Sequence, residues 1–201
     1  MSKGRILSRS FYLREDVVAL ARQLLGKVIV HETDDGRSAG IITETEAYAG
    51  VVDKASHAYA GKRTARNAPM YAQGGTAYVY LCYGIHHLFN VVTNGEGVPH
   101  AVLVRGVVPV EGIPLMKERR GSAKLTTAGP GTLTTALGIR THHSGGDLLS
   151  GPITIEDRGL VFNRNEVLIG PRIGVDYAGD DALLPYRFRV APSRLASLAG
   201  E

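Results

Sequence analysis

Between Glu15 and Leu25 the apolar residues Val18, Ala21, Leu24 and Leu25 recur at helical spacing, and Gly26 follows as a stop, so the pattern predicts a helix of about three turns. The period then changes to two. Lys27 to His31 and Ser38 to Tyr48 read as strands flanking Asp34-Asp35-Gly36, a sequence suited to a hairpin turn. Because side chains alternate along a strand, Glu44, Glu46 and Tyr48 share one face of the second. From Val51 to Gly75 the pattern dissolves into polar, glycine-rich sequence carrying Lys62, Arg63 and Arg66, which predicts a long functional loop. Thr76 to Tyr83 and Ile85 to Thr93 are β-branched and aromatic, break at Gly84, and lead to a third apolar strand from Ala101 to Val110.

The stretch from Lys117 to Pro130 is basic, then small and glycine-rich, and reads as a surface connection. A short helical pattern follows from Thr132 to Leu137, stopped by Gly138, and strands at Ile153 to Glu156 and Tyr186 to Val190 complete the chain. Strands dominate and helices are few, which predicts an α+β fold built on a curved antiparallel sheet. With 201 residues, 44% of them hydrophobic, a single domain over 1–201 with one sizeable core is expected, with 1–9 and 192–201 as flexible ends.

Charge changes the picture little. The 23 Lys and Arg against 19 Asp and Glu leave a net +4 and a pI near 9.3, compatible with a polyanionic partner without requiring one. The lone Cys82 excludes an intrachain disulfide and a cysteine-based zinc site, and fits a reducing cytoplasm. No stretch approaches the ~18 apolar residues that read as a membrane span, and Met1 to Arg9 lacks the apolar run of a signal peptide, so a soluble, unprocessed protein is expected.

The candidate chemistry concentrates in one window. Six of the nine tyrosines (Tyr48, Tyr59, Tyr71, Tyr78, Tyr80 and Tyr83) lie between residues 48 and 83, together with His57 and the three cations. Aromatic planes interleaved with cations suit an unstacked base and its flanking phosphates; tyrosines also simply favour strands. Glu44 and Glu46, side by side, could divide acid and base roles or form a solvated strand edge. His86 and His87 point to opposite faces of a strand, as His142 and His143 would if extended, so no metal is expected, and no cofactor. Gly74-Gly75 and Gly129-Pro130-Gly131 lack the Lys-Ser/Thr ending of a phosphate loop, and no Gly-x-Ser-x-Gly elbow is present.

Thr45-Glu46-Ala47-Tyr48, His57, Arg66-Asn67, Tyr78-Val-Tyr80-x-x-Tyr83-Gly84, Asn90 and Arg105 resemble the alkyladenine (3-methyladenine) DNA glycosylase family, in its bacterial type. The likeness runs from Phe11-Tyr12 through Leu24-Leu25-Gly26 and Gly129-Pro130-Gly131 to Arg172-Ile-Gly-Val-Asp-Tyr177 and Arg187-Phe188. The resemblance implies a protruding β-hairpin and surrounding short helices, and a monofunctional enzyme that flips alkylated or deaminated purines out of duplex DNA and hydrolyses the N-glycosidic bond. It implies Glu46 as general base and Arg105 as the residue orienting the water. Tyr48, His57 and Tyr80 would form the walls of the base pocket, and Asn90 would discriminate against the 2-amino group of guanine. Tyr83 would fill the gap left by the flipped nucleotide, and Lys62, Arg63, Thr64, Arg66 and Thr132 would meet the DNA backbone.

Loss of a purine passes through an oxocarbenium-like state, which a carboxylate can stabilise while deprotonating water. A base alkylated on a ring nitrogen is already cationic and stacks well between tyrosines. Strand cleavage through a Schiff base needs a lysine, and none falls in the matched pocket motifs, so simple hydrolysis is expected. An abasic-site endonuclease would then act downstream of a monomer working in the cytoplasm at the bacterial nucleoid. Two departures stand out: Thr132 where the family commonly has Lys after Gly-Pro-Gly, and Tyr186 where many bacterial relatives have Trp. The rival readings are a non-catalytic protein that binds DNA lesions, and an enzyme acting on RNA or free nucleosides.

Overall fold

The computed structural model describes residues 4–199. Strand β1 (Arg5–Ile6), helix α1 (Arg9–Tyr12) and helix α2 (Val17–Gln23) precede the hairpin of β2 (Val28–Thr33) and β3 (Gly36–Tyr48). Strands β4 (Ala77–Cys82), β5 (His86–Thr93) and β6 (His100–Glu111) follow, then helices α3 (Ile113–Arg120) and α4 (Pro130–Leu137). Strands β7 (Ile153–Asp157), β8 (Val167–Gly170) and β9 (Arg187–Val190) and helix α5 (Pro192–Ala199) complete the order.

All strands belong to one antiparallel sheet in the order β1-β7-β2-β3-β6-β5-β4, giving the α+β architecture. The long β3 is its spine. One edge pairs with β6 throughout; the other pairs with β2 up to Ile41 and with β9 at Glu44 to Glu46, β8 lying outside β9. Register shifts near Ala39, Ile42 and Glu44 bend the spine, as bulges do.

Alternation sorts the β2 side chains between two cores. Ile29 faces the larger, with Leu20 of α2, Leu24 at its C-cap, Met116 of α3, and Leu133 and Leu137 of α4; Val28 and Val30 face the smaller, where Leu195 and Leu198 of α5 cover them. Residues 192–199, expected as a flexible end, are therefore α5, and Arg5–Ile6 pairs with β7. Residues 1–3 and 200–201 lie outside the described residues.

Helix α2 is shorter than its apolar pattern because Asp16 caps it, accepting from the N–H groups of Val18 and Ala19. Gly26 is where the chain turns back with φ +83°, and any Cβ there would lie 2.5 Å from the Leu160 carbonyl oxygen. Lys117 to Arg120 belong to α3, whose Met116 is fully buried, rather than to a surface connection. Its polar character hides one buried residue, too little to read as periodicity. His142 and His143 are in a 3₁₀ turn, not extended, and their rings lie 4.0 Å apart.

The segment between β3 and β4 holds three 3₁₀ turns and no strand. Asn67 is its hub: Oδ1 accepts from the Thr64 N–H at 2.7 Å, and Nδ2 donates to the carbonyls of His57 and Lys62. Strands β4 and β5 meet at Tyr83-Gly84-Ile85, a protruding tip where Tyr83 is 90% exposed.

Candidate active site

Glu46 and Tyr48 are two residues apart on β3, so alternation puts them on one face, where the Tyr48 hydroxyl donates to Glu46 Oε2 at 2.9 Å. Arg105 joins them through an irregularity in the ladder. Thr45 is opposite Val104 and Glu44 opposite Gly106, which leaves Arg105 without a partner on β3. An extra residue of this kind re-aims its side chain. Its Nε donates to Glu44 Oε1 at 3.2 Å and its Nη1 to Glu46 Oε2 at 3.4 Å, while Arg187 of β9 donates to Glu44 at 2.7 Å. The last partner is backbone: the Ile173 N–H donates to Glu46 Oε1 at 2.8 Å.

Glu46 is fully buried behind this set, and it is Tyr48, Arg105 and Ile173 that line the adjoining cavity of about 630 Å³. Burial raises the pKa of the carboxyl above its ordinary 4.5, against the opposing pull of Arg105, the Ile173 N–H and the Tyr48 hydroxyl.

His57, Tyr78, Tyr80, Leu88 and Asn90 form the walls. The His57 ring stands edge-on to Tyr80 at 4.6 Å, and its Nδ1 is 2.9 Å from the Tyr78 hydroxyl. Burial, then Arg66 and Lys62, push the His57 pKa down to about 4, while burial pushes Tyr78 up to about 12. Both are thus neutral at pH 7, and the imidazole tautomer sets which of the two atoms donates. Buried Asn90 spends its amide N–H groups on the carbonyls of Tyr78 (3.1 Å) and Leu88 (3.3 Å).

Of the three cations, Arg66 lines the cavity, and Lys62 and Arg63 stand outside its lining. Arg66 lies over the Tyr80 ring at 4.9 Å and donates to the Leu81 carbonyl; Arg63 lies over Tyr71 at 4.1 Å; Lys62 is exposed. The Thr64 hydroxyl is engaged with Asn67 Oδ1 inside the loop. Thr132 lies apart from the cavity on the first turn of α4, its hydroxyl donating to the Gly129 carbonyl at 2.8 Å. Tyr83 and the 71%-exposed Tyr177 stand at the rim.

Three contributors had no assigned role in the sequence reading. Arg172 and Ile173 lie in the matched Arg172-to-Tyr177 motif, which marked the segment without showing that it reaches Glu46. Asp53, which pairs with Arg172, sits in a polar loop with no local signal at all.

Residues 10–194 match the model of the methylpurine-DNA glycosylase family. Among similar proteins, one from Chlamydia abortus is 45% identical over 187 residues, covering 91% of this chain and 97% of its own. One from Methanocella arvoryzae is 46% identical, covering 91% of each chain, and one from Clostridium acetobutylicum is 39% identical, covering 96% of this chain and 97% of its own. All three carry the name "Putative 3-methyladenine DNA glycosylase".

Proposed function

The chain belongs to the methylpurine-DNA glycosylase family, and on that premise we propose that it flips damaged purines from duplex DNA into the aromatic cavity and hydrolyses their N-glycosidic bond with Glu46 as base. The observation that carries this reading is a buried carboxylate, held by Tyr48, Arg105 and Ile173, at the foot of a cavity in the size range of small-ligand sites.

The Arg105 contact, at 3.4 Å, is looser than the 2.7–2.9 Å usual for charge-assisted bonds, which leaves both groups able to turn to a shared water that lies beside them. Glu46 then takes the proton of that water as it attacks the anomeric carbon, the bond to the purine nitrogen breaks, and the departing base carries the electron pair. Until that proton is transferred, the Glu46 carboxylate also stabilises the oxocarbenium-like sugar. Tyr48, His57 and Tyr80 hold the base. With both Asn90 N–H groups engaged, that residue excludes the guanine 2-amino group by space rather than by polarity.

Tyr83, on its exposed tip, fills the stack; Lys62, Arg63 and Arg66 meet phosphates, and Thr64 and Thr132 join them through backbone or hydroxyl contacts. The substrates are 3-methyladenine, 7-methylguanine, hypoxanthine and ethenoadenine. Among the described residues no lysine lines the cavity, in keeping with hydrolysis that leaves an abasic site for an endonuclease. A monomer working at the nucleoid suffices for one lesion.

The test is base release from methylated DNA and from duplexes carrying hypoxanthine or ethenoadenine, with Glu46→Gln alongside. Release by wild type, lost in a variant that still binds the lesion, is the expected result. Binding without release by wild type would install the non-catalytic lesion-binding reading instead, and a borohydride-trapped adduct would overturn simple hydrolysis.

A further inference from the structure

Behind the carboxylate lies a buried ion pair that the chemistry above does not use. Arg172 and Asp53 have side chains only 0% and 1% exposed and meet fork to fork, Nη1 donating to Oδ2 and Nη2 to Oδ1, the latter at 2.8 Å. The same guanidinium donates to the carbonyls of Ala47 (2.9 Å) and Asp181 (3.0 Å), and Asp53 accepts from the N–H groups of Ala49 and Ala55 at 3.0 Å. One point thus joins the end of β3, the turn at 50–55 and the loop at 171–181.

The pair borders two working parts of the site. Ala47 separates Glu46 from Tyr48, whose ring lies 4.8 Å from the Arg172 guanidinium carbon. Ile173, the next residue along, gives the N–H that Glu46 accepts. An isolated buried ion pair is a poor stabiliser, because desolvating two charges offsets most of their attraction and apolar side chains of similar volume often serve as well. What this pair supplies is geometry.

We propose that Arg172 and Asp53 are positioning residues for hydrolysis, fixing the 171–175 loop so that the Ile173 N–H stays on Glu46 Oε1 and the Tyr48 ring stays in the cavity wall. The inference rests on Glu46 acting as base. Without the pair, the carboxylate loses a donor that favours its ionised form, so its pKa rises further and less of the enzyme holds an ionised base at a given pH.

Two variants test this. Arg172→Lys keeps the charge but cannot form the fork; Arg172→Met combined with Asp53→Leu removes both charges while filling the volume, and guards against a single variant that does not fold. Single-turnover base release is measured against pH, with affinity for a duplex carrying a tetrahydrofuran abasic analogue and the melting temperature measured in parallel. The plateau rate should fall roughly tenfold or more, the scale of losing one hydrogen bond to a charged group. The acid limb should move to higher pH at unchanged duplex affinity. Folded variants with the wild-type rate and acid limb, or a rate loss matched by lost affinity with the limb unmoved, would reduce the pair to packing and overturn the proposal. If instead Glu46→Gln retained wild-type release, the reading of Glu46 as base would fail, independently of Arg172.

Discussion

At the scale of single residues, Glu46 sets function against stability. Burial raises its pKa, so the unfolded chain holds the ionised form more easily, and above the ordinary value of 4.5 the folded state bears the cost of a buried carboxylate. That cost recedes as pH falls. Glu46→Gln removes it, so the variant should release no base yet melt no lower than wild type at pH 7, checked by calorimetry beside the release assay. The same shift fixes a pH dependence: with the carboxylate as base, the rate should fall on the acid side with a limb above 4.5. His57, held near 4, should add no limb close to neutrality. A single-turnover pH profile reads both.

At the scale of elements, the β4–β5 hairpin carries its strain at the tip. Tyr83 adopts φ +51° and Gly84 φ +73°, and a non-glycine residue in that region costs on the order of 1–2 kcal/mol. Strain retained at an exposed aromatic residue supports the wedge role proposed for Tyr83. Tyr83→Gly should therefore hold or raise stability while lowering excision from duplex DNA and sparing hydrolysis of a free nucleoside; equal losses on both substrates would remove the wedge role. Helix α4 tells a related story. A Cβ on Gly131 would come within 2.8 Å of the His86 ring, so the start of this helix abuts the same hairpin, and Thr132 beside it turns its hydroxyl back to the Gly129 carbonyl where the family commonly has a cation. Thr132→Lys should tighten duplex binding uniformly across sequences and steepen the salt dependence by about one unit of slope, read by titration at several salt concentrations.

For the whole molecule, acid stability is set first by histidines. His31 is buried with Nδ1 2.7 Å from the Leu137 carbonyl oxygen, its ring 4.7 Å from that of His143. Burial is the main cause of the lowered pKa of both, and of His57, with His143 and His57 pushed down to about 4. The unfolded chain takes up these protons more readily, so their contribution is intact above 6.5 and is lost as pH falls from there towards 4. Glu156, held low by Arg158, the Gly4 N–H and Arg37 against the cost of burial, and Asp157, held low by Lys27, add their losses as pH falls below their ordinary values of 4.5 and 3.8. Melting temperature followed from pH 7 to 4 should fall across this range, and His143→Gln should flatten the upper part of the descent.

What the sequence by itself determined is whatever depends on neighbours in the chain. Period and the Gly26 stop gave α2, the Asp34-Asp35-Gly36 turn gave the β2–β3 hairpin, and alternation put Glu46 and Tyr48 on one face. Helix α3 and the short β8 escaped notice because their few buried residues make no pattern of their own. The family motif located Glu46, Tyr48, His57 and Arg105, but not how they meet. Only the tertiary structure decided that Arg105 reaches both carboxylates, because a bulge depends on the pairing of two strands sixty residues apart. It alone brought Arg172 to Asp53 and Ile173 to Glu46, since burial of a charge and the aim of a backbone N–H are properties of packing that no local sequence signal records.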